Sequence, residues 1–154
     1  MTTEQQGRGE GWVAGQIAIL AAIALAPPEL GGLPRLPNWC LPIGLIIGLA
    51  GGAIGLAGIR GLGQNLTPFP KPKEDATLIQ SGIYSVVRHP IYAGLFLAAL
   101  GFGLARRSIP SLVLSVLLGI FFDQKARREE RWLIAKFPEY QSYTAKVRGR
   151  IMPF

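Results

Sequence analysis

The chain has 154 residues, of which 49% are apolar and only 16% charged, and its formal net charge is +7. The charged share is well below the roughly 25% usual in soluble domains, and the length suits a single domain. One cysteine, Cys40, excludes an intramolecular disulfide and a multi-cysteine metal site. Basic clusters beside apolar stretches point to anionic lipid and membrane topology as the partners of that charge, not to nucleic acid.

Residues 1–10 are polar, with Glu4 and Glu10 against Arg8. That balance is the wrong sign for a cleaved signal peptide, so the apolar block that follows is expected to be retained. Four blocks, 12–26, 39–59, 91–105 and 109–122, contain no charged side chain. A helix rises about 1.5 Å per residue and must cross about 30 Å, so roughly 20 residues suffice. Only 39–59 meets that length alone; the others need their flanks, with Arg106 and Arg107 snorkelling and Gln124 and Lys125 at headgroup depth. The expected fold is an all-α integral membrane protein of about four transmembrane helices with a cytoplasmic carboxyl-terminal helical segment.

The connection 27–38 holds four prolines and two glycines and is a loop. Gly48, Gly51, Gly52, Gly55 and Gly58 recur at three- and four-residue spacing, which suits close packing of another helix. The segment 61–90 is long, polar and broken by Pro68, Pro70, Pro72 and Gly82, so irregular, functional backbone outside the hydrocarbon is expected. Residues 123–137 place Trp132, Leu133 and Phe137 at helical intervals and continue the last span. Pro138 starts a further helix with Tyr140, Tyr143 and Val147 on one stripe, expected along the membrane surface. Arg35, Arg106 and Arg107 fall on one side of a four-span arrangement, leaving 13 of the 16 Lys and Arg residues on the other. The positive-inside rule then puts both termini and 60–90 in the cytoplasm.

The segment from Ser81 to Gly94, SGIYSVVRHPIYAG, carries the only histidine, His89, between Arg88 and Pro90. Proline is tolerated as the first residue of a helix and disfavours helical geometry before it, so His89 is expected at a helix mouth. Free N–H groups there, with Arg88 beside them, suit a carboxylate; an interfacial anchor pair is the plainer alternative. In the second constellation, ARREER from Ala126 to Arg131, Glu129 and Glu130 stand about 100° apart on a helix. One can face a site while its neighbour orients it; a solvated charged helix is the other reading.

The order of these elements, Asn65-Leu-Thr-Pro68, Gly82-Ile-Tyr84, Arg88-His-Pro-Ile-Tyr-Ala-Gly94, an apolar hairpin, then Glu129-Glu130 with Phe137, Tyr140 and Tyr143, resembles the isoprenylcysteine carboxyl methyltransferase family. The likeness covers residues 61–154 and extends to the related phospholipid N-methyltransferases. It implies a single domain, 1–154, in which 61–90 and 123–154 form the cofactor-binding portion. The implied cofactor is S-adenosylmethionine, enclosed by Tyr84, His89, Tyr92, Gly94, Glu129 and Glu130, with Arg88 and Glu130 catalytic and Tyr84 and Arg88 at the acceptor entrance. The implied reaction is methyl transfer to a lipophilic or lipid-modified acceptor at the cytoplasmic face of a plasma membrane, expected to be prokaryotic. Two departures stand out: Gly82-Ile83-Tyr84 replaces a frequent Gly-Pro-Tyr, and only two apolar blocks precede the middle segment. Phosphatidylethanolamine N-methylation and a non-enzymatic lipid- or partner-binding protein are the competing functions; a dinucleotide-dependent membrane reductase is a third option, for which this chain shows no Gly-x-Gly-x-x-Gly turn.

Overall fold

The computed structural model describes residues 9–152, which form five α-helices with short 3₁₀ turns and, among these residues, no strand. The expectation for the polar amino terminus lies outside the described residues except at Gly9 and Glu10. Helix α1 runs Glu10–Leu25 and stops before Pro27-Pro28, which disfavour helix at the residue preceding them. Helix α2 runs Cys40–Leu62 and ends at Gly63, whose φ of 51° suits glycine. Helix α3, Pro90–Ala105, has Pro90 at its start and His89 outside helical geometry, as expected from the Arg-His-Pro order. Helix α4, Ile109–Lys136, is capped by the Ser108 hydroxyl, which accepts from the Ser111 N–H. It continues unbroken through the polar residues after Phe122. Helix α5 is short, Tyr140–Lys146.

Helices α2 and α3 pack antiparallel with backbones in near contact. A methyl added at Gly94 would lie 2.5 Å from the Gly55 nitrogen, and one added at Gly51 would lie 2.6 Å from the Ala98 nitrogen. Small residues provide such approach where lipid supplies no hydrophobic drive between helices. Gly44, not among the glycines read from the sequence, joins this seam against Gly101 and Ala105, whereas Gly52 faces open space. Helix α1 lies antiparallel on α4: Trp12 meets Phe121, and the Ser111 hydroxyl donates to the Ile23 carbonyl at 3.2 Å.

The first and third connections meet at one end of the bundle, where Leu36 N–H donates to Arg107 O and the Arg106 and Arg107 guanidiniums donate to the carbonyls of Ala24 and Leu36. Arg106 thereby ties the end of α1, and Arg107 the first connection, to the turn between α3 and α4. Leu45, Ile46 and Leu49 of α2 and Val113, Val116 and Ile120 of α4 are exposed, a broad apolar surface that asks for lipid or a partner. Two helical segments, Cys40–Asn65 and Ile109–Lys136, are long and apolar enough to cross a membrane; α1 and α3, at 16 residues each, are shorter. The apolar part of α4 ends at Phe122, and Asp123–Lys136 is its polar extension. The stripe of α5 turns inward: Tyr140, Tyr143 and Val147 are buried against Leu78, Leu133 and Phe137. That face is therefore consumed by protein and does not lie on a membrane surface.

Candidate active site

A cavity of about 310 Å³ opens at the end of the bundle that holds the α3 mouth. Its polar wall includes Arg88, His89, Tyr92, Lys125 and Glu129, with Gln16 and Tyr84 beside them; Ile59, Ile91, Leu95, Leu133 and Phe137 supply much of the apolar wall. The loop after α2 arches over it through Leu66, Thr67 and Pro68 and returns through Leu78. The Asn65 amide clamps this arch, donating to the Thr77 hydroxyl at 3.2 Å and accepting from the Thr77 N–H at 3.1 Å. The Lys136 ammonium secures its far side by donating to the Lys73 and Glu74 carbonyls.

Residues 82–85 form a 3₁₀ turn entered at Gly82 with a φ of 62°, so the turn closes without the proline frequent in the resembling family. Tyr84 is thereby buried; its hydroxyl donates to the Gly58 carbonyl at 3.1 Å while its own carbonyl accepts from the Tyr143 hydroxyl at 2.6 Å. Burial pushes the Tyr84 and Tyr140 phenols well above their usual range, and Tyr143 up to about 12. These three therefore remain neutral donors at physiological pH.

Arg88 is turned largely toward the carboxyl-terminal tail. Its guanidinium donates to Glu130 at 2.7 Å and to the carbonyls of Val147 and Arg148 at 2.6 and 2.9 Å. The Arg88 and His89 N–H groups donate to Gly149 O and Arg150 O. The two backbone donors that precede Pro90 are thus already used by the tail. Arg150 adds bonds to Glu130 at 3.0 Å and Asp123 at 2.8 Å, which outweigh burial and raise its already high pKa.

The paired glutamates divide as their 100° offset allows. Glu130 turns away from the cavity, with one oxygen on Arg88 and 3.3 Å from His89 Nε2 and the other on Arg150. Burial would raise its carboxyl, but the hydrogen bonds and charges of His89 and Arg88 prevail and hold it at about 2. Glu129 lines the cavity and accepts from the Tyr92 hydroxyl at 2.8 Å; enclosure raises its carboxyl despite His89, Tyr92 and Lys125 nearby. The rings of His89 and Tyr92 stack at 5.4 Å, and Tyr92 stacks in turn on Phe122 at 4.9 Å. Gly94, one turn deeper, faces α2 and is not part of the cavity wall.

Lys125 was expected at headgroup depth but is buried, donating to Gln16 Oε1 at 2.7 Å with its ammonium 5.1 Å from the Tyr92 ring centre. A signal existed for both residues. Phe122, Lys125 and Glu129 share one helical stripe, and Gln16 is the one polar side chain in block 12–26. For Asp123 and Arg150, far apart in sequence, no local pattern announces the pairing.

The family model described as phospholipid methyltransferase matches residues 39–140. Protein-S-isoprenylcysteine O-methyltransferase of Schizosaccharomyces pombe is 39% identical over 83 residues, 53% of this chain and 35% of that protein. The Saccharomyces cerevisiae protein of the same name is 34% identical over 119 residues, 75% of this chain and 49% of its own length. The cobalt-zinc-cadmium resistance protein CzcN of Cupriavidus metallidurans is 31% identical over 111 residues, 71% of this chain and 50% of that protein. The chain thus spans about a third to a half of these relatives' lengths. The solved structure of the eukaryotic intramembrane Ras methyltransferase ICMT shares the fold, with a TM-score of 0.69 and 21% identity over 100% of this chain and 54% of that one. The chain belongs to the phospholipid methyltransferase family, and its resemblance to the isoprenylcysteine carboxyl methyltransferases is borne out.

Proposed function

We propose that this chain is an integral membrane methyltransferase that uses S-adenosylmethionine to methylate a lipophilic, isoprenylcysteine-like carboxylate at the cytoplasmic face. The observation that carries this reading is the convergence of Arg88, His89, Tyr92, Lys125 and Glu129 on one cavity beside an apolar wall. All four long helices cross the bilayer in this reading, with α1 and α3, about 24 Å each, accommodated by local thinning. The basic end of the bundle faces the cytoplasm.

The donor set suits the cofactor. Glu129, with the Tyr92 hydroxyl beside it, would take its ammonium or ribose hydroxyls; Lys125 would take its carboxylate; Ile91, Leu95 and Phe137 would cover its base. When bound, the cofactor supplies an electrophilic methyl group on a sulfonium. The chain's share is positioning, which can lower the barrier of an in-line displacement by several kcal/mol. A carboxylate acceptor is ionised at neutral pH and needs no base. Arg88, at the cavity edge, would orient it, and the surrounding apolar side chains would strip its water. Glu130 acts through Arg88 and His89, holding both in place.

Calorimetric titration of the full chain in detergent with S-adenosylhomocysteine tests the cofactor site: Glu129→Ala or His89→Ala should weaken binding, and no heat from folded protein would sink the reading. For the acceptor, membranes given methyl-labelled cofactor should release label as methanol in alkali, because an ester is base-labile. Alkali-stable lipid label would indicate amine methylation instead.

A further inference from the structure

On the far side of Arg88 from the cavity lies a groove of about 570 Å³ along the α3–α4 hairpin. Its apolar trough is formed by Phe96, Val116, Gly119 and Ile120, and the tail residues Arg148 to Met152 cross its polar end. Gly119 keeps the trough open at its floor: a methyl there would lie 2.7 Å from the Phe96 ring. Val116 and Ile120 are more than half exposed, so the trough faces outward along its length.

The charges at the polar end do not cancel. Arg88 and Arg150 are matched by Glu130 and Asp123, and Asp123 also holds Arg127. Arg148 lends its carbonyl to Arg88, while its exposed guanidinium has no ion-pair or hydrogen-bond partner among the described residues. A surplus cation thus stands at the end of an apolar channel that leads along the hairpin.

We propose that this groove binds one anionic phospholipid, with its phosphate at Arg148 and an acyl chain along Phe96, Val116 and Ile120. Charge complementarity selects the headgroup, since a basic side chain near an anionic membrane surface contributes favourably. The apolar trough selects an amphiphile over a soluble anion. Arg88 borders both this groove and the cavity, so a seated lipid would brace the outer side of Arg88. The proposal rests on the membrane reading of the helices and is independent of the reaction in the cavity.

Native mass spectrometry of the full chain in detergent, supplemented with phosphatidylglycerol or phosphatidylcholine, tests it. The wild type should retain phosphatidylglycerol about fivefold more than phosphatidylcholine. Arg148→Glu should abolish that preference, and Val116→Trp, which fills the trough from an exposed position, should reduce retention of both lipids. S-adenosylhomocysteine titration and melting of each variant confirm that fold and cavity persist. Equal retention of the two lipids, or a preference unchanged by Arg148→Glu, or retention unchanged by Val116→Trp, overturns the lipid site. The membrane reading fails separately if the chain is extracted from membranes by alkaline carbonate.

Discussion

Arg88 and Glu130 form a 2.7 Å ion pair with side chains only 7% and 10% exposed, and the same guanidinium holds two carbonyls of the carboxyl-terminal tail. Breaking a buried pair so that one charge is left alone costs about 3–5 kcal/mol, an upper bound here because Arg150 still holds Glu130. Arg88→Ala should therefore lower the melting temperature sharply in detergent, and more than Arg150→Ala, whose side chain is a quarter exposed. Arg88→Lys should rescue only part of the loss, because a single ammonium cannot reproduce the fork. Equal melting of Arg88→Ala and wild type would contradict this role.

The Glu130 carboxyl, held at about 2 against an ordinary 4.5, makes stability depend on acid. A depressed folded-state pKa stabilises above the unfolded value and loses that contribution as pH falls through the folded value. The window is thus from about pH 4.5 down to about 2, and the contribution is on the order of 3 kcal/mol. Melting of the wild type should fall steeply across that window. Glu130→Gln should start lower at pH 6 and show a smaller decline.

Glycine positions in α2 should separate cleanly by what they face. Gly51→Leu drives atoms into the Gly94 carbonyl and Ala98 nitrogen and should cost at least the 1–3 kcal/mol typical of overpacking. Gly52→Ala meets nothing within 4 Å and should leave stability unchanged or raise it slightly through helix propensity. Thermal denaturation of both variants in one detergent decides the matter.

Tyr92→Phe removes the 2.8 Å hydrogen bond to Glu129 but keeps the ring between His89 and Phe122. Under the proposed function, S-adenosylhomocysteine affinity should fall by about two- to tenfold, the worth of one hydrogen bond, with melting nearly unchanged. Tyr92→Ala should lose both affinity and stability. Identical affinity in Tyr92→Phe and wild type would remove the hydroxyl from the site.

Much of the molecule is legible in the chain alone because its causes are local. Uncharged blocks become helices, Pro27-Pro28 ends α1, Pro90 opens α3 with His89 outside it, and 109–136 runs on past Phe122. The order of the Arg-His-Pro segment and the paired glutamates likewise points to the family without coordinates. Tertiary structure decided what local rules leave open, namely the partner of each face. Two adjacent glutamates are equivalent by spacing, yet the tail arginine Arg150 captures Glu130 and leaves Glu129 to the cavity. Lys125 reads as an interfacial cation until Gln16 of α1 and the Tyr92 ring enclose it, and Gly94 reads as a site residue until α2 closes on it. Periodicity orients side chains relative to one another on a helix; the rotation of that helix against its neighbours is set only by contacts between distant parts of the chain.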